Sequence, residues 1–304
     1  MNISGLTLKQ LRVFSAVARA GSLSRAAAGL FLSKAAVSAA LAEMERHLGS
    51  PLFDRTGGRL RLNGCGEEAV GLADDILARM DGFEARARGE LWGGRLRIGA
   101  SVTVGNALLP GILSRFLCDP RVPAPQLAIA NTAVLAQALV RFDLDAALVE
   151  GTVHTPGVEI RPWRRDRMVA IAAPDDPLAA GPPADAAALG GRGWILREPD
   201  SGTREQFGRF LEPVLADWHL VLELPTNEAI VAAVAAGLGL GFLSELAVAD
   251  ALALRRVAEI PLAFATERSL DVALPRGRWR SPLLDHFLAC CEGAAGRPPP
   301  RKGF

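Results

Sequence analysis

Two kinds of polar cluster in this 304-residue chain could do chemistry, and they lie far apart in it. Near the amino terminus Ser24, Arg25, Ser33, Lys34, Ala35 and Ser38 precede Arg55, Arg59 and Arg61. Lys and Arg suit phosphate oxygens and guanine edges, and small hydroxyls and methyls suit close approach to a base pair, so this set points to double-stranded DNA. Further along, Ser101-Val102-Thr103, Asn131-Thr132 and Ser201-Gly202-Thr203-Arg204 collect hydroxyls, an amide and a guanidinium in short segments. Such groups, with the free N–H groups of a helix start, suit a small anion. Arg204 either adds a forked charge contact or lies along its helix as an ion-pair residue. Glu150 complicates the set. A carboxylate there repels an anion unless Arg197 or Arg204 neutralises it or the ligand also carries an amine, and a structural ion pair is its plainer reading.

Periodicity predicts the elements that position the first cluster. Leu11, Phe14, Val17 and Ala18 recur at helical spacing, and Gly21-Ser22 ends that helix. Ser22 or Ser24 can cap a short second helix through Leu30, in which the small Ala26 and Ala27 allow a close crossing. Ser33 caps a third helix with Val37, Leu41, Met44 and Leu48 inward, which leaves Lys34, Ala35 and Ser38 on the face a recognition helix offers to the major groove. Leu52-Phe53 then anchors a hairpin that turns at Gly57-Gly58, a wing bearing Arg55, Arg59 and Arg61.

Charge supports this without any motif. Residues 1–63 hold nine Lys/Arg against three acids, a balance of +6, while the other 25 basic and 30 acidic residues balance to −5. A net charge of +1 therefore conceals a basic head on a mildly acidic body. Small helical triplets also occur in proteins that never meet DNA, and the charge balance and wing weigh against that reading.

From Gly66 to Leu91, Ala69, Ala73, Ile76, Met80, Phe83 and Ala87 recur as a heptad-like seam. About 25 helical residues span roughly 37 Å, and so narrow an apolar edge predicts a partner helix rather than packing on its own domain. Trp92-Gly93-Gly94 makes a hinge. Beyond it, strands at Arg95–Gly99, Gln126–Ala130, Ala146–Glu150, Met168–Ala173, Trp194–Leu196, Val221–Leu224, Leu240–Leu243 and Ser269–Leu274 alternate with helices at Asn106–Cys118, Ala133–Arg141, Thr203–Trp218, Asn227–Ala236 and Ser281–Cys291. That alternation predicts an α/β body with a parallel sheet, whose crevice lies at the carboxyl ends of the strands.

The spacing of Phe14, Gly21-Ser22, Ala26-Ala27, Leu30, Ser33, Ala36-Val37-Ser38, Leu41, Glu45, Leu48-Gly49, Leu52-Phe53, Arg55 and Leu62 resembles the LysR-type transcriptional regulators. Lys34 and Ala40 stand where that family often has Gln, and Asn63 where it usually has Thr. Lys34 favours guanine O6/N7 or phosphate, so the motif foretells DNA binding better than it foretells the bases read. The resemblance implies an α/β fold with an N-terminal all-α winged helix-turn-helix and two Rossmann-like lobes resembling a periplasmic solute-binding protein. The expected domains are a DNA-binding domain at 1–63, a dimerisation linker helix at 64–91 and an effector-binding domain at 92–295. Lobe I would hold about 92–165 and 266–295, lobe II about 166–265, and 296–304 would be a disordered tail. The expected partners are DNA, a small anionic effector and copies of this chain in a homodimer or homotetramer. The stretch from Trp194 to Arg204 resembles a branch of the family associated with small inorganic or sulfur-containing anions.

Other chemistry lacks its context. Gly237-Leu238-Gly239-Leu240-Gly241 runs from helix to strand, the reverse of a dinucleotide site. There is no nucleophile elbow or Walker loop, the four His are scattered, and Cys65, Cys118, Cys290 and Cys291 lack metal or redox spacing. No cofactor, no metal and no catalytic residue is expected, and the thiols read as reduced. No export signal or spanning segment is read, which places the chain in the cytoplasm. The alternatives are a metabolic enzyme acting on a small anion, which needs an acid, base or nucleophile among the anion turns, and a small-molecule binding protein that has lost DNA contact through Lys34 and Ala40.

Overall fold

The structure, a computed structural model, describes residues 5–56, 59–88 and 92–293. The expectation of a disordered tail at 296–304 lies outside the described residues.

Three short helices and a hairpin open the chain: α1 (Leu8–Ala20), α2 (Leu23–Leu30), α3 (Lys34–Leu48), β1 (Phe53–Thr56) and β2 (Arg59–Leu62). Thr7 and Gln10 form a reciprocal capping box on α1. Gly21 and Gly49 end α1 and α3 with φ of 58° and 70°, a left-handed turn that glycine adopts without steric cost. Ser22 occupies the α2 cap position without a side-chain cap bond, and Ser24 lies inside the helix. Phe14, Val17, Val37, Leu41, Met44, Leu52 and Phe53 are buried together. Burying such a side chain contributes about 1.5–3 kcal/mol.

The linker helix α4 (Gly64–Ala87) has two working faces. Val70 and Ala73 join the core of the three-helix head. Leu72 and Phe83 remain 67% and 66% exposed, with Ile76 also outward. The seam expected from the sequence is therefore divided: α1 already covers Ala73, and the free apolar edge runs through Leu72, Ile76 and Phe83.

The body is built on one mixed sheet, not a parallel one. In chain order it contains β3 (Arg97–Ala100), α5 (Val102–Ala107), α6 (Leu109–Phe116), β4 (Gln126–Ile129), α7 (Thr132–Val140), β5 (Ala146–Glu150), β6 (Val158–Ala172), α8 (Pro177–Ala180), β7 (Gly193–Leu196) and α9 (Gly202–Phe210). There follow β8 (His219–Glu223), α10 (Asn227–Ala235), β9 (Leu240–Ser244), α11 (Glu245–Ala253), β10 (Ala258–Ile260), β11 (Glu267–Pro275) and α12 (Pro282–Cys291). The strand order is β4-β3-β5-β11-β6-β9-β7-β8, with β10 also on β6. The triples β4-β3-β5 and β9-β7-β8 are parallel, whereas β11 runs against β5 and β6, and β6 runs against β9. The reason is β6, a 15-residue strand that pairs with β11 up to Arg167 and with β9 from Met168. It carries the chain from lobe I to lobe II, and the chain returns at Thr266 and Glu267.

Lobe I is packed by Ile98, Phe116, Leu148 and Phe287. Lobe II is packed by Trp194, Phe207 and Phe242, with the Trp194 and Phe207 rings edge to face 5.1 Å apart. The helix expected over Asn106–Cys118 is two, α5 and α6, with Pro110 in the first turn of the second. The helix expected over Thr203–Trp218 stops at Phe210, before Pro213, which has no N–H to continue it.

Candidate nucleic-acid interface and ligand cleft

The outer face of the helical head is as basic as its sequence implies. Ser24, Arg25, Lys34, Ala35 and Arg61 are exposed and Ser38 is half-buried. Neither Lys34 nor Arg25 makes an ion pair among the described residues, and Arg61 makes none either, which leaves all three free for phosphate. Ser33 is already engaged: its hydroxyl accepts from Ala36 N at 3.1 Å and caps α3. Arg61 projects from β2, opposite Asp54 of β1. The expected turn at Gly57-Gly58 and the side chains of Arg55 and Arg59 lie outside the described residues. No single described helix is long and apolar enough to cross a membrane.

In the body, the carboxyl ends of the parallel strands converge on a buried polar cluster. Ser101 follows β3, Asn131 follows β4, Glu150 ends β5, Arg197 and Glu198 follow β7, and Ser244 ends β9. Glu150 lies at its centre, 2% exposed. Its Oε1 accepts from Thr103 Oγ1 at 3.2 Å and from Thr203 Oγ1 at 3.4 Å. Its Oε2 pairs with Arg268 Nη2 at 2.8 Å, and Arg268 Nε reaches Asp166 Oδ2 at 2.7 Å. Ser244 Oγ donates to the other oxygen of Asp166 at 2.9 Å. One buried cation thus bridges two buried carboxylates, an arrangement that offsets desolvation only because hydroxyls fill the remaining lone pairs.

The cleft is closed by contacts between the lobes. Asn131 Nδ2 donates to Glu198 Oε1 at 3.0 Å, and Asn227 Nδ2 reaches Thr103 Oγ1 at 3.5 Å. Asn106 Nδ2 meets Glu228 at 3.3 Å, and Thr152 N meets Glu205 at 3.2 Å. Arg197, 2% exposed, holds both oxygens of Glu198 at 2.8 Å and bonds Asn227 Oδ1 at 3.2 Å. Burial would raise the Glu198 carboxyl, but the bonds from Arg197 and Asn131 outweigh it and hold the group below its usual range. Thr132 Oγ1 donates to the Glu150 carbonyl at 2.7 Å. A Cβ on Gly202 would stand 2.9 Å from that same carbonyl oxygen, so only glycine lets α9 approach β5 so closely.

Of the residues expected here, Thr103 and Thr203 both donate to Glu150, and Thr132 and Gly202 pack on the Glu150 backbone. Ser101 Oγ is buried and bonds nothing. Ser201 Oγ is spent as the α9 cap, accepting from Thr203 N at 3.2 Å, and Asn131 is spent on Glu198. Arg204 departs from expectation: its guanidinium lies 5.8 Å over the rings of both Phe207 and Trp218, in the lobe II packing. The neutraliser of Glu150 is neither Arg204 nor Arg197 but Arg268, which sequence reasoning missed. Its signal was the alternation of β11, where Arg268 falls on the same buried side as Leu270.

No group of three or more His, Cys, Asp or Glu among the described residues could hold a metal. Cys65 and Cys118 are exposed, and Cys290 and Cys291 are buried, with burial pushing the Cys291 thiol up to about 12.

Comparison with known proteins bears on both sites. Residues 8–67 match the family described as bacterial regulatory helix-turn-helix protein, lysR family, and residues 89–296 match the LysR substrate binding domain. The chain is 38% identical over 301 residues to the uncharacterized HTH-type transcriptional regulator YeiE of Escherichia coli strain K12, covering 95% of this chain and 98% of that one. Among solved structures, full-length OxyR from Pseudomonas aeruginosa superposes with a TM-score of 0.73 at 23% identity, covering 95% of this chain and 96% of the other. The Synechocystis PCC6803 CcmR regulatory domain, solved in complex with 2-PG, gives a TM-score of 0.62 at 26% identity, over 67% of this chain and 98% of that one.

Proposed function

The chain belongs to the LysR family of helix-turn-helix transcriptional regulators, and on that premise we propose that a small anion in the cleft between the lobes modulates how it engages DNA. It is a DNA-binding regulator with an effector-binding domain. The observation that carries the choice of ligand is a pair of buried groups in the Glu150 cluster that can still donate. Arg268 Nη1 and Ser101 Oγ are buried polar atoms without a partner. Leaving a buried donor unpaired costs about 1–3 kcal/mol, so an oxygen-rich ligand that supplies acceptors to these groups is favoured. The CcmR domain's 2-PG shows that a neighbouring fold of this kind takes a small molecule.

On this reading Arg25, Lys34 and Arg61 contact the duplex directly, with Arg55 and Arg59 on the wing. Ser24, Ala35 and Ser38 approach the bases, while Ser33 sets the helix that presents them. The protein works in the cytoplasm and performs no catalysis: the two carboxylates of the cleft cluster at the anion turns are already committed, Glu150 to Arg268 and two hydroxyls and Glu198 to Arg197 and Asn131. Two exposed apolar surfaces support a homotetramer. One is the Leu72, Ile76, Phe83 edge of α4; the other comprises the edge strands β4 and β8, where Leu127, Ile129, Leu220 and Val221 stay exposed.

Thermal-shift screening of the full chain against sulfate, phosphate, alkyl sulfonates and short carboxylates tests the ligand class. At least one should raise the melting temperature, and Thr203→Ala should lose that rise while the apo protein still melts cooperatively. A screen in which only amines or neutral compounds stabilise the protein sinks the anion reading.

A further inference from the structure

We infer that lobe I and α4 of the same chain form one coupled unit, pinned by Phe142 on Gly71 and by Arg278 between Asp75 and Asp145, and that this junction carries the state of the cleft to the reading head. The inference rests on the regulator reading above. Phe142 follows α7 in the left-handed region, φ 57°, a conformation costing a bulky residue of order 1–3 kcal/mol unless its surroundings hold it. What holds it is α4. Its ring packs against the head's core cluster, and a Cβ on Gly71 would stand 2.5 Å from Phe142 Cζ, so the glycine is the seat. Arg278 lies 5.3 Å over the same ring, bonds Asp75 Oδ1 at 3.2 Å and faces Asp145 Oδ1 at 3.3 Å. Arg97 Nη2 holds that same Oδ1 of Asp145 at 2.8 Å. Trp279 N donates to Asp75 Oδ2 at 3.4 Å, and Arg79 of α4 lies 5.5 Å over the Trp279 ring.

The neighbouring carboxylate on α4 faces the head. Asp74 accepts from Ser15 Oγ at 2.5 Å and from Arg19 at 2.7 Å, both on α1. Consecutive residues of one helix therefore hold the body and the head. At the other end of the route, α7 begins at Asn131-Thr132 on the cleft, about 14 Å from its last turn. Strand β5 runs from beside Asp145 to Glu150, about 17 Å. Both are rigid elements with one end in the cleft and the other at Arg278. Alongside them, the seam between α4 and lobe I is hollow, a cavity of about 480 Å³ bordered by Asp74, Arg97, Asp145 and Arg278. The attachment is a few charged and aromatic pins rather than a packed interface, which suits a contact that must shift between discrete arrangements.

Coupling is reciprocal, so DNA must act on the cleft as the ligand acts on DNA. Hydrogen exchange read by mass spectrometry on the full chain, with and without saturating DNA from its own upstream region at low salt, needs no effector. DNA should change exchange in 131–142 and 150–155 by about fivefold or more. Asp75→Asn, and separately Phe142→Asn, which keeps a residue type tolerant of the left-handed backbone, should retain DNA affinity and the response within α1 and α4 while losing the response in the cleft. A cleft response that survives in both variants overturns the inference, as does its absence from a wild-type complex that forms normally. Failure to form any complex would instead sink the regulator reading, and the inference with it.

Discussion

Arg268 is where a single side chain decides most. Its guanidinium is 1% exposed and joins Glu150 to Asp166, so removing it leaves two buried carboxylates facing each other without a cation. Truncating one member of such a set typically costs about 3–5 kcal/mol. Arg268→Met should therefore lower the urea midpoint by that equivalent, and adding Glu150→Gln should recover part of it, because the second change removes one of the stranded charges; strictly additive losses would argue against the bridge. Lys34 sits at the other extreme, exposed and free of ion pairs among the described residues. If it contacts a phosphate, Lys34→Ala should weaken binding to all duplexes alike and reduce the slope of log affinity against log salt by about one. If it reads guanine, the loss should be confined to the preferred sequence. The hydroxyl turns at 101–103 and 201–204 were legible because strand-to-helix turns have a local grammar. Arg268 was not, since its partners lie 118 and 102 residues away and no local pattern encodes a pairing across two strands.

Helix α4 shows how far periodicity reaches at the scale of an element. Its heptad-like spacing announced a long helix with one narrow apolar edge, but spacing alone could not say that its apolar residues divide between two neighbours. The head takes Val70 and Ala73, and what is left over is Leu72, Ile76 and Phe83. Ile76→Asp combined with Phe83→Asp should therefore break self-association, seen as a fall in mass by light scattering, without unfolding the head, whose core those side chains do not enter. A variant that keeps its oligomeric mass would place the contact elsewhere. The same limit explains β6. A run of 15 strand residues carrying four arginines does not alternate cleanly, because it changes neighbours midway, pairing with β11 and then with β9. Its apolar last third, Met168–Ala172, was readable; its charged first part, which turns a parallel sheet into a mixed one, was not.

At the scale of the whole molecule, the two lobes meet through few polar bonds, and one of these involves a titratable carboxylate. Glu198 joins the lobes through Asn131 and is held by Arg197 from its own lobe. Burial raises its carboxyl, yet the bonds from Arg197 and Asn131 prevail and leave it below the ordinary value. A group depressed in the folded state contributes stability that is fully present above its unfolded value, near about 4.3 for Glu, and loses it as pH falls through the folded value. The closed arrangement should thus be indifferent to pH from neutrality to about 5 and loosen only below the ordinary glutamate range. Glu198→Gln should leave the melting temperature lower than wild type at pH 7 and shallower in its acid decline, because the ionised form is the one Arg197 and Asn131 favour. Small-angle scattering over the same acid range should show wild type opening, with a rise in radius of gyration that the variant already displays in part at neutral pH. A variant as compact and as acid-sensitive as wild type would mean that the lobes are held by Asn227 with Thr103, Thr152 with Glu205 and Asn106 with Glu228, leaving Asn131 and Glu198 as mere neighbours across the cleft.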